Sequence, residues 1–443
     1  MLENTSAEML YCKYTEQRYK EGKLSKYIVQ KSGPLRGEVS ISGSKNAVLP
    51  IMAAALLSEK KCVILDAPAL KDVEIMCQLL EDLGADIVQD VGNDIVEIEA
   101  KNIVTHEASF SLVKKMRASI LVMGPLLART GKAVITLPGG CAIGDRPVEL
   151  HMKGLRAMGA EIVMDEDGTL RAEAERLRGA NIYLDFPSVG ATENIIMAAS
   201  TAEGSTVLEN AAQEPEIVDL ATFLNKMGAK IKGAGTDTIK IEGVKSLGEA
   251  KHNVIPDRIE AGTFMVAAAI TRGAILIKNV LPDHVKPVIA KLKECGVQIE
   301  VSDDDLIVRG DVNPLVSTDI KTLPYPGFPT DMQSQFMAML TTAEGSSIVI
   351  ETVFENRYMH VKELNRMGAS IRTEDRCAII EGKKHLKGAK VVATDLRAGA
   401  AMVLAGLVAE GQTEISEIYH IERGYENFAE KIRSLGGRII KAE

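Results

Sequence analysis

The sequence predicts an α/β protein of two domains, each an inside-out α/β barrel, assembled from six repeated units with three per domain. Three observations carry this reading. Six stretches set a short polar segment before a helix-length run of small apolar residues, and six amphipathic helices end in glycine and run into a strand. The chain of 443 residues is also longer than one ordinary core sustains.

The first series opens with Ser44-Lys45-Asn46 before AVLPIMAAALL, Met116-Arg117 before ASILVMGPLLA, and Ser188 to Thr192 before ENIIMAAST. It continues with Pro256 to Glu260 before AGTFMVAAAI, Thr330 to Gln333 before SQFMAMLTTA, and Thr394 to Arg397 before AGAAMVLAGLVA. A helix that is apolar all round belongs in the interior. Its first turn exposes unpaired N–H groups and favours anions. Polar and cationic residues placed repeatedly at those starts point to a site for an acidic ligand.

The second series reads LLEDLGADIV, GLRAMGAEIV, FLNKMGAKI, KLKECGVQI, ELNRMGASI and KIRSLGGRI, with glycines at 84, 159, 228, 296, 368 and 436. Glycine just past a helix supplies the left-handed cap that turns the chain into the next strand. In the first copy Val73, Met76, Leu79, Leu80 and Leu83 form one apolar stripe. Strands such as STVLEN and SSIVIET lie between. Burying six apolar helices centrally and laying the strands outside inverts the usual barrel. The units divide into a first domain over 45–255 and a second over 25–44 plus 256–443, with 1–24 a polar N-terminal extension.

The net charge of −9 argues against nucleic-acid or membrane-surface binding, so cations for an acidic substrate must be gathered locally. No apolar run reaches the roughly 18 residues of a membrane span, and the start lacks a signal-like apolar region, so a cytoplasmic location is expected. Cysteines 12, 62, 77, 141, 295 and 377 form no C-x-x-C pair, and the histidines no H-x-x-x-H or H-x-H pair, which gives a metal site little support. The sequence carries no signal for oligomeric state.

One loop stands apart, Leu137 to Pro147, with three glycines and two prolines around Cys141. A thiol there is exposed, and Arg146 could favour its thiolate.

With this loop and the repeat in place, the chain closely resembles the enolpyruvyl transferase family over residues 26–443. The motifs are GSKNAVLP, VKKMRASI, LPGGCAIGDRPVELH, SVGATEN, NAAQEPEIVDLA, PDRIEAGTF, FPTDMQSQF, ETVFENRYMHVKEL, ATDLRAGAA and YHIERGYE. The resemblance implies transfer of the enolpyruvyl group of phosphoenolpyruvate to the 3-hydroxyl of UDP-N-acetylglucosamine with release of phosphate, the first committed step of peptidoglycan synthesis. It implies no cofactor. Its fold, two inside-out α/β domains around a cleft, matches the repeat reading.

The chemistry needs protonation of a methylene carbon, attack by a sugar hydroxyl and later proton loss. The resemblance makes Cys141 the general acid and the site of a covalent phospholactoyl adduct, and Asp331 the base. Asp331 read without it is equally a helix cap, a role open to Thr330 as well. Lys45, Asn46, Arg146, Arg357, Arg397 and Arg423 match phosphoenolpyruvate-binding positions, with Lys45 and Arg397 also implied in catalysis. For UDP-N-acetylglucosamine the matches are Asn46, Arg117, Arg146, Pro147, Val148, Glu149, Leu150, Ser188, Val189, Gly190, Asp331 and Val353. Phe186 departs from the pattern, since some relatives carry lysine there, so a lysine contact to the nucleotide does not transfer.

Two rival readings stand beside this one. The sister branch of the family acts on shikimate 3-phosphate, against which GGCAIGDRP and SVGATEN speak. A catalytically silent sugar-nucleotide binder would need no acid and base, against which Lys45, Cys141, Asp331 and Arg397 together speak.

Overall fold

A computed structural model describes residues 25–137, 148–383 and 385–443. Within them one wiring recurs six times. A strand pairs in parallel with the next strand of its repeat; that strand pairs antiparallel with a third, which pairs antiparallel with a fourth. Arg36–Ser40, Ala274–Lys278, Asp305–Arg309 and Gln298–Val301 follow this order, as do Asn181–Tyr183, Ser205–Glu209, Thr238–Glu242 and Lys230–Lys232. In one sheet the first strand shrinks to a single bridge, Glu107 to Val134, leaving three strands. In two others, as with Arg36–Ser40 beside Ala274–Lys278, the set is completed from distant sequence. Ala250–Asn253 pairs with Cys62–Leu65, and Lys26–Gln30 lies between Gln412–Ser416 and Arg438–Ala442.

The chain forms two compact units. The first holds Ile41–Arg258 with Leu323–Pro329; the second holds the described residues up to Ser40 with Ile259–Thr322 and Thr330–Glu443. In each unit three sheets accompany three apolar helix segments. Strands alternate, as in Thr238–Glu242, where Ile239 and Ile241 are buried and Lys240 and Glu242 are exposed, the period-two pattern of a half-buried sheet. The helices do not alternate. Every residue of Ala47–Ala54, Ala191–Ala199 and Ile259–Ile270 is buried, the apolar-all-round case.

All six cap glycines adopt positive φ, from 88° at Gly296 to 109° at Gly84, where a side chain would be strained. The amphipathic helix Lys71–Asp82 turns its stripe inward, with Val73, Met76, Leu79 and Leu80 fully buried.

The second apolar run departs from one continuous α-helix. Arg117–Val122 is 3₁₀ and only Met123–Thr130 is α-helical. Pro125 has no N–H to bond the carbonyl four residues back and its ring crowds that carbonyl, which favours a different winding in the preceding turn.

Candidate active site

The described residues place matched side chains in both units. In the first unit Lys45 opens the Lys45–Ala54 helix. Backbone bonds from Ser44 N–H to Ile255 O (2.7 Å) and from Asp257 N–H to Ser42 O (2.9 Å) fix that start. The Lys45 ammonium lies 3.4 Å from Asp72 Oδ2, and its backbone N–H lies 3.4 Å from Asp257 Oδ2. Asp72, at the first turn of Lys71–Asp82, is 2% exposed, so its charge is scarcely screened by water. Asn46 follows, half-buried.

Further along the same unit Arg117 opens the 3₁₀ turn, and Ser188 caps the Val189–Ala199 helix by accepting from Ala191 N–H at 3.4 Å. A Cβ on Gly190 would lie 3.2 Å from the ring of buried His151, so a side chain there would require the ring to give by a few tenths of an ångström. His151 Nδ1 faces Asn194 Nδ2 at 2.9 Å. The Asn194 amide also donates to Ile120 O, and its Oδ1 accepts from Gly124 N–H. Because the amide donates to Nδ1, the ring proton sits on Nε2, the nitrogen facing Gly190. Burial first, and Arg117 second, push His151 down to about 4. Val148 is buried, while Glu149 and Leu150 begin the helix Glu149–Ala157, where the Glu149 carboxylate suits the dipole.

In the second unit Asp331 lies in the short 3₁₀ turn Thr330–Met332 ahead of Gln333–Leu340. Its Oδ1 accepts from Arg357 Nη2 at 2.7 Å, and its Oδ2 from Arg397 Nε and Nη2 at 3.2 and 3.1 Å. The side chains of Arg357 and Arg397 are 5% and 3% exposed, that of Asp331 27%, so two shielded cations share a carboxylate that still meets solvent. Arg397 stands in the first turn of Leu396–Val408, whose cap Asp395 accepts from the N–H groups of Arg397 and Ala398 at 2.9 and 3.0 Å. The Arg397 guanidinium carbon sits 5.3 Å from the ring centre of Tyr425, a cation–π arrangement. Buried His360 is held down to about 4, chiefly by burial.

The matched residues Asp331, Arg357 and Arg397 are thus in direct contact. Val353 joins them through Glu351, whose Oε1 accepts its N–H at 2.9 Å. Arg423 is half-buried at the end of the Tyr419–Glu422 turn, two residues before Tyr425. Cys141, Arg146 and Pro147 lie outside the described residues. The cap position of the Gln333–Leu340 helix is held by Met332, which makes no side-chain cap bond. The Asp331 carboxylate takes guanidinium hydrogens, and Thr330 donates to Glu351 Oε2 at 2.9 Å.

Sequence reasoning missed Asp72, Glu351, Asn194 and Tyr425. Glu351, Asn194 and Tyr425 lie inside matched motifs, ETVFENR, SVGATEN and YHIERGYE, where they could have been singled out. Asp72 lies in none, and an aspartate at a first helical turn reads as a complement to the dipole.

The EPSP synthase (3-phosphoshikimate 1-carboxyvinyltransferase) family model matches residues 29–432. The chain is 61% identical over 417 residues to UDP-N-acetylglucosamine 1-carboxyvinyltransferase 1 of Caldanaerobacter subterraneus subsp. tengcongensis, covering 94% of this chain and 99% of the relative. It is 54% identical over 420 residues to UDP-N-acetylglucosamine 1-carboxyvinyltransferase 1 of Staphylococcus aureus strain MRSA252, with 94% and 99% covered. Among solved structures, the enolpyruvyl transferase NikO from Streptomyces tendae superposes with a TM-score of 0.86 at 24% identity, over 95% of this chain and 99% of that one. EPSP synthase from Acinetobacter baumannii gives 0.75 at 21%, over 95% and 100%. Those two likenesses show an α/β fold held in common. The match over 29–432, with relatives of this identity across nearly their whole length, places the chain in the enolpyruvyl transferase family, which includes the UDP-N-acetylglucosamine 1-carboxyvinyltransferases.

Proposed function

We infer that this chain transfers the enolpyruvyl group of phosphoenolpyruvate to the 3-hydroxyl of UDP-N-acetylglucosamine and releases phosphate. The single observation that carries the reading is identity of 61% with a UDP-N-acetylglucosamine 1-carboxyvinyltransferase across 99% of that relative. The shikimate-3-phosphate reading rests on the description of the family model, which matches residues 29–432, and on fold-level likeness at 21% identity. By resemblance the reaction is the first committed step of peptidoglycan synthesis, and a cytoplasmic location follows from that role. Among the described residues no helix is long and apolar enough to cross a membrane.

The reaction balances as an addition followed by an elimination. A proton joins the methylene carbon of phosphoenolpyruvate, and the sugar oxygen bonds to the adjacent carbon as its own proton leaves. Phosphate then departs, and the methyl carbon gives up a proton to restore the double bond. The roles proposed for this chain's residues follow from the family match. Asp331 takes the hydroxyl proton, and Cys141 supplies the proton to carbon and forms the covalent adduct. Lys45, Asn46, Arg146, Arg357, Arg397 and Arg423 hold the phosphate and carboxylate. Asn46, Arg117, Arg146, Pro147, Val148, Glu149, Leu150, Ser188, Val189, Gly190, Asp331 and Val353 hold the nucleotide sugar. The pairing of Asp331 with Arg357 and Arg397 supports its part, because it sets the carboxylate beside two of the guanidinium groups proposed to hold phosphoenolpyruvate.

The same family match supports two inside-out barrels of three repeats, near 45–255 and near 256–443 with 25–44. Six sheets and the buried apolar helices Lys45–Ala54, Val189–Ala199 and Arg258–Ile270 favour that arrangement.

Phosphate release from phosphoenolpyruvate tests the reading. Turnover is expected with UDP-N-acetylglucosamine as acceptor and not with shikimate 3-phosphate. Release with the shikimate acceptor alone, or with neither, overturns it.

A further inference from the structure

Glu351, the residue after strand Ser346–Ile350, is fully buried. A carboxylate there is costly unless its oxygens are hydrogen-bonded. Its Oε1 accepts from Thr322 Oγ1 at 2.8 Å, Val353 N–H at 2.9 Å and Phe354 N–H at 3.2 Å, while Oε2 accepts from Thr330 Oγ1 at 2.9 Å. Thr322 is buried as well, and its hydroxyl oxygen accepts from Thr352 N–H at 2.9 Å.

The polarity of this network is fixed. The Thr330 hydroxyl donates its one proton to Glu351 Oε2, since Arg357 on its other side can only donate. Its lone pairs are thereby presented to Arg357, whose Nη1 donates to them at 2.9 Å. The other terminal nitrogen, Nη2, donates to Asp331 Oδ1 at 2.7 Å. Gln333 Nε2 holds the Arg357 carbonyl at 3.1 Å. One buried carboxylate therefore bears on three things at once: the chain on either side of Leu323–Pro329, the Val353 turn, and the seat of the Arg357 guanidinium.

We propose that Thr330 and Glu351 are positioning residues for the transfer reaction. Glu351 sets the Thr330 hydroxyl as an acceptor, and that hydroxyl seats Arg357 so that it can pair with Asp331 and receive the anion of phosphoenolpyruvate. This rests on the roles given to Arg357 and Asp331 under Proposed function. A purely architectural staple would tie the same segments together without influencing the guanidinium.

The full-length proteins Thr330→Val and Thr330→Ser separate the two. Valine keeps the shape and deletes the hydroxyl; serine keeps the hydroxyl. In the phosphate-release assay Thr330→Val is expected to lose about tenfold or more in kcat/KM for phosphoenolpyruvate, with a larger change in that KM than in the KM for the nucleotide sugar. Thr330→Ser is expected within about threefold of wild type. Thermal midpoints of both should stay close to wild type. A crystal structure of Thr330→Val should show the Arg357 guanidinium out of hydrogen-bond reach of Asp331, and that of Thr330→Ser should show it in place. Wild-type kinetics with an unmoved Arg357 in the valine protein overturns the proposal, as does a serine protein as impaired as the valine one. A collapse of the thermal midpoint in Thr330→Val also overturns it, by making the hydroxyl a folding element. If wild type releases no phosphate with UDP-N-acetylglucosamine, the functional reading fails separately, and the Arg357 geometry in the two crystal structures still decides the positioning claim.

Discussion

Arg397 reaches Asp331 through two nitrogens of one guanidinium, Nε and Nη2, both directed at Oδ2. Together with Arg357 on Oδ1, they give the carboxylate three charge-assisted hydrogen bonds before any substrate arrives. The Asp331 side chain is 27% exposed, and under the proposed function this solvent-facing part is what the sugar hydroxyl would meet. Asp331→Asn keeps the shape and an acceptor oxygen for one arginine but cannot take up a proton. It should lower kcat by about 10² or more while leaving binding of UDP-N-acetylglucosamine, measured by calorimetry, within about threefold. Equal losses in both would leave Asp331 with its proposed binding role alone and no part as base.

The fork on Arg397 is specific to a planar guanidinium. Arg397→Lys retains the charge but reaches Asp331 with a single nitrogen and loses the face that lies over Tyr425. The expected result is a KM for phosphoenolpyruvate raised about tenfold or more, with far-ultraviolet circular dichroism unchanged. A lysine protein with wild-type kinetics would show that charge alone suffices.

In the other unit the buried Asp72 carboxylate holds the Lys45 ammonium. The substitution Asp72→Asn removes the charge and frees the lysine to adopt other rotamers. The KM for phosphoenolpyruvate should rise, by about fivefold to tenfold, and Asp72→Glu should recover part of it. Unchanged KM in Asp72→Asn would confine Asp72 to the helix dipole.

How much of this was legible in the sequence depends on whether the signal was local. Gly84 and its five counterparts were readable because a helix end followed by a strand demands positive φ, and each glycine has it. The burial of Ile195–Ala199 was readable from composition, but that of Thr192, Glu193 and Asn194 was not. The split of the Arg117 segment was not read, although Pro125 stood in the run as a sign of it. The partners of the matched residues lie far off in sequence. Asp331 meets Arg397 across 66 positions, and Lys45 meets Asp72 across 27. Nothing in a single sequence announces such pairs. Family motifs identified Asp331 and Arg397, and only folding shows that they bind each other.

His151 gives a prediction in pH. Its folded value of about 4 lies below the ordinary 6.5 because burial and Arg117 disfavour the imidazolium. The unfolded chain takes up the proton first as the pH drops, so the stability that neutral His151 contributes is full above about 6.5 and is lost between there and about 4. Glu193, raised by burial and by Glu216 and Glu214, acts in the opposite sense and gains on acidification. The test is therefore a difference between proteins. In urea unfolding, the stability gap between wild type and His151→Gln should be wider at pH 7 than at pH 5. A gap independent of pH would show that His151 is not held neutral.

Burial narrows the candidates for the proposed reactive thiol, and mass then decides among Cys12, Cys141 and Cys377. Burial pushes Cys62 up to about 11 and Cys77 and Cys295 up to about 12, so these three are almost entirely thiol at neutral pH. A thiol that is both buried and protonated is a poor nucleophile. The glycine-rich segment Leu137 to Pro147 supplies Cys141 with Arg146 five residues on. Incubation with phosphoenolpyruvate and the nucleotide sugar should therefore add one phospholactoyl group per chain in intact-mass spectra. Fosfomycin, an epoxide directed at this family's loop cysteine, should likewise add once and inactivate irreversibly. Cys141→Ala should show neither adduct. An adduct that persists in Cys141→Ala would move the nucleophile to another cysteine, and peptide mapping would say which.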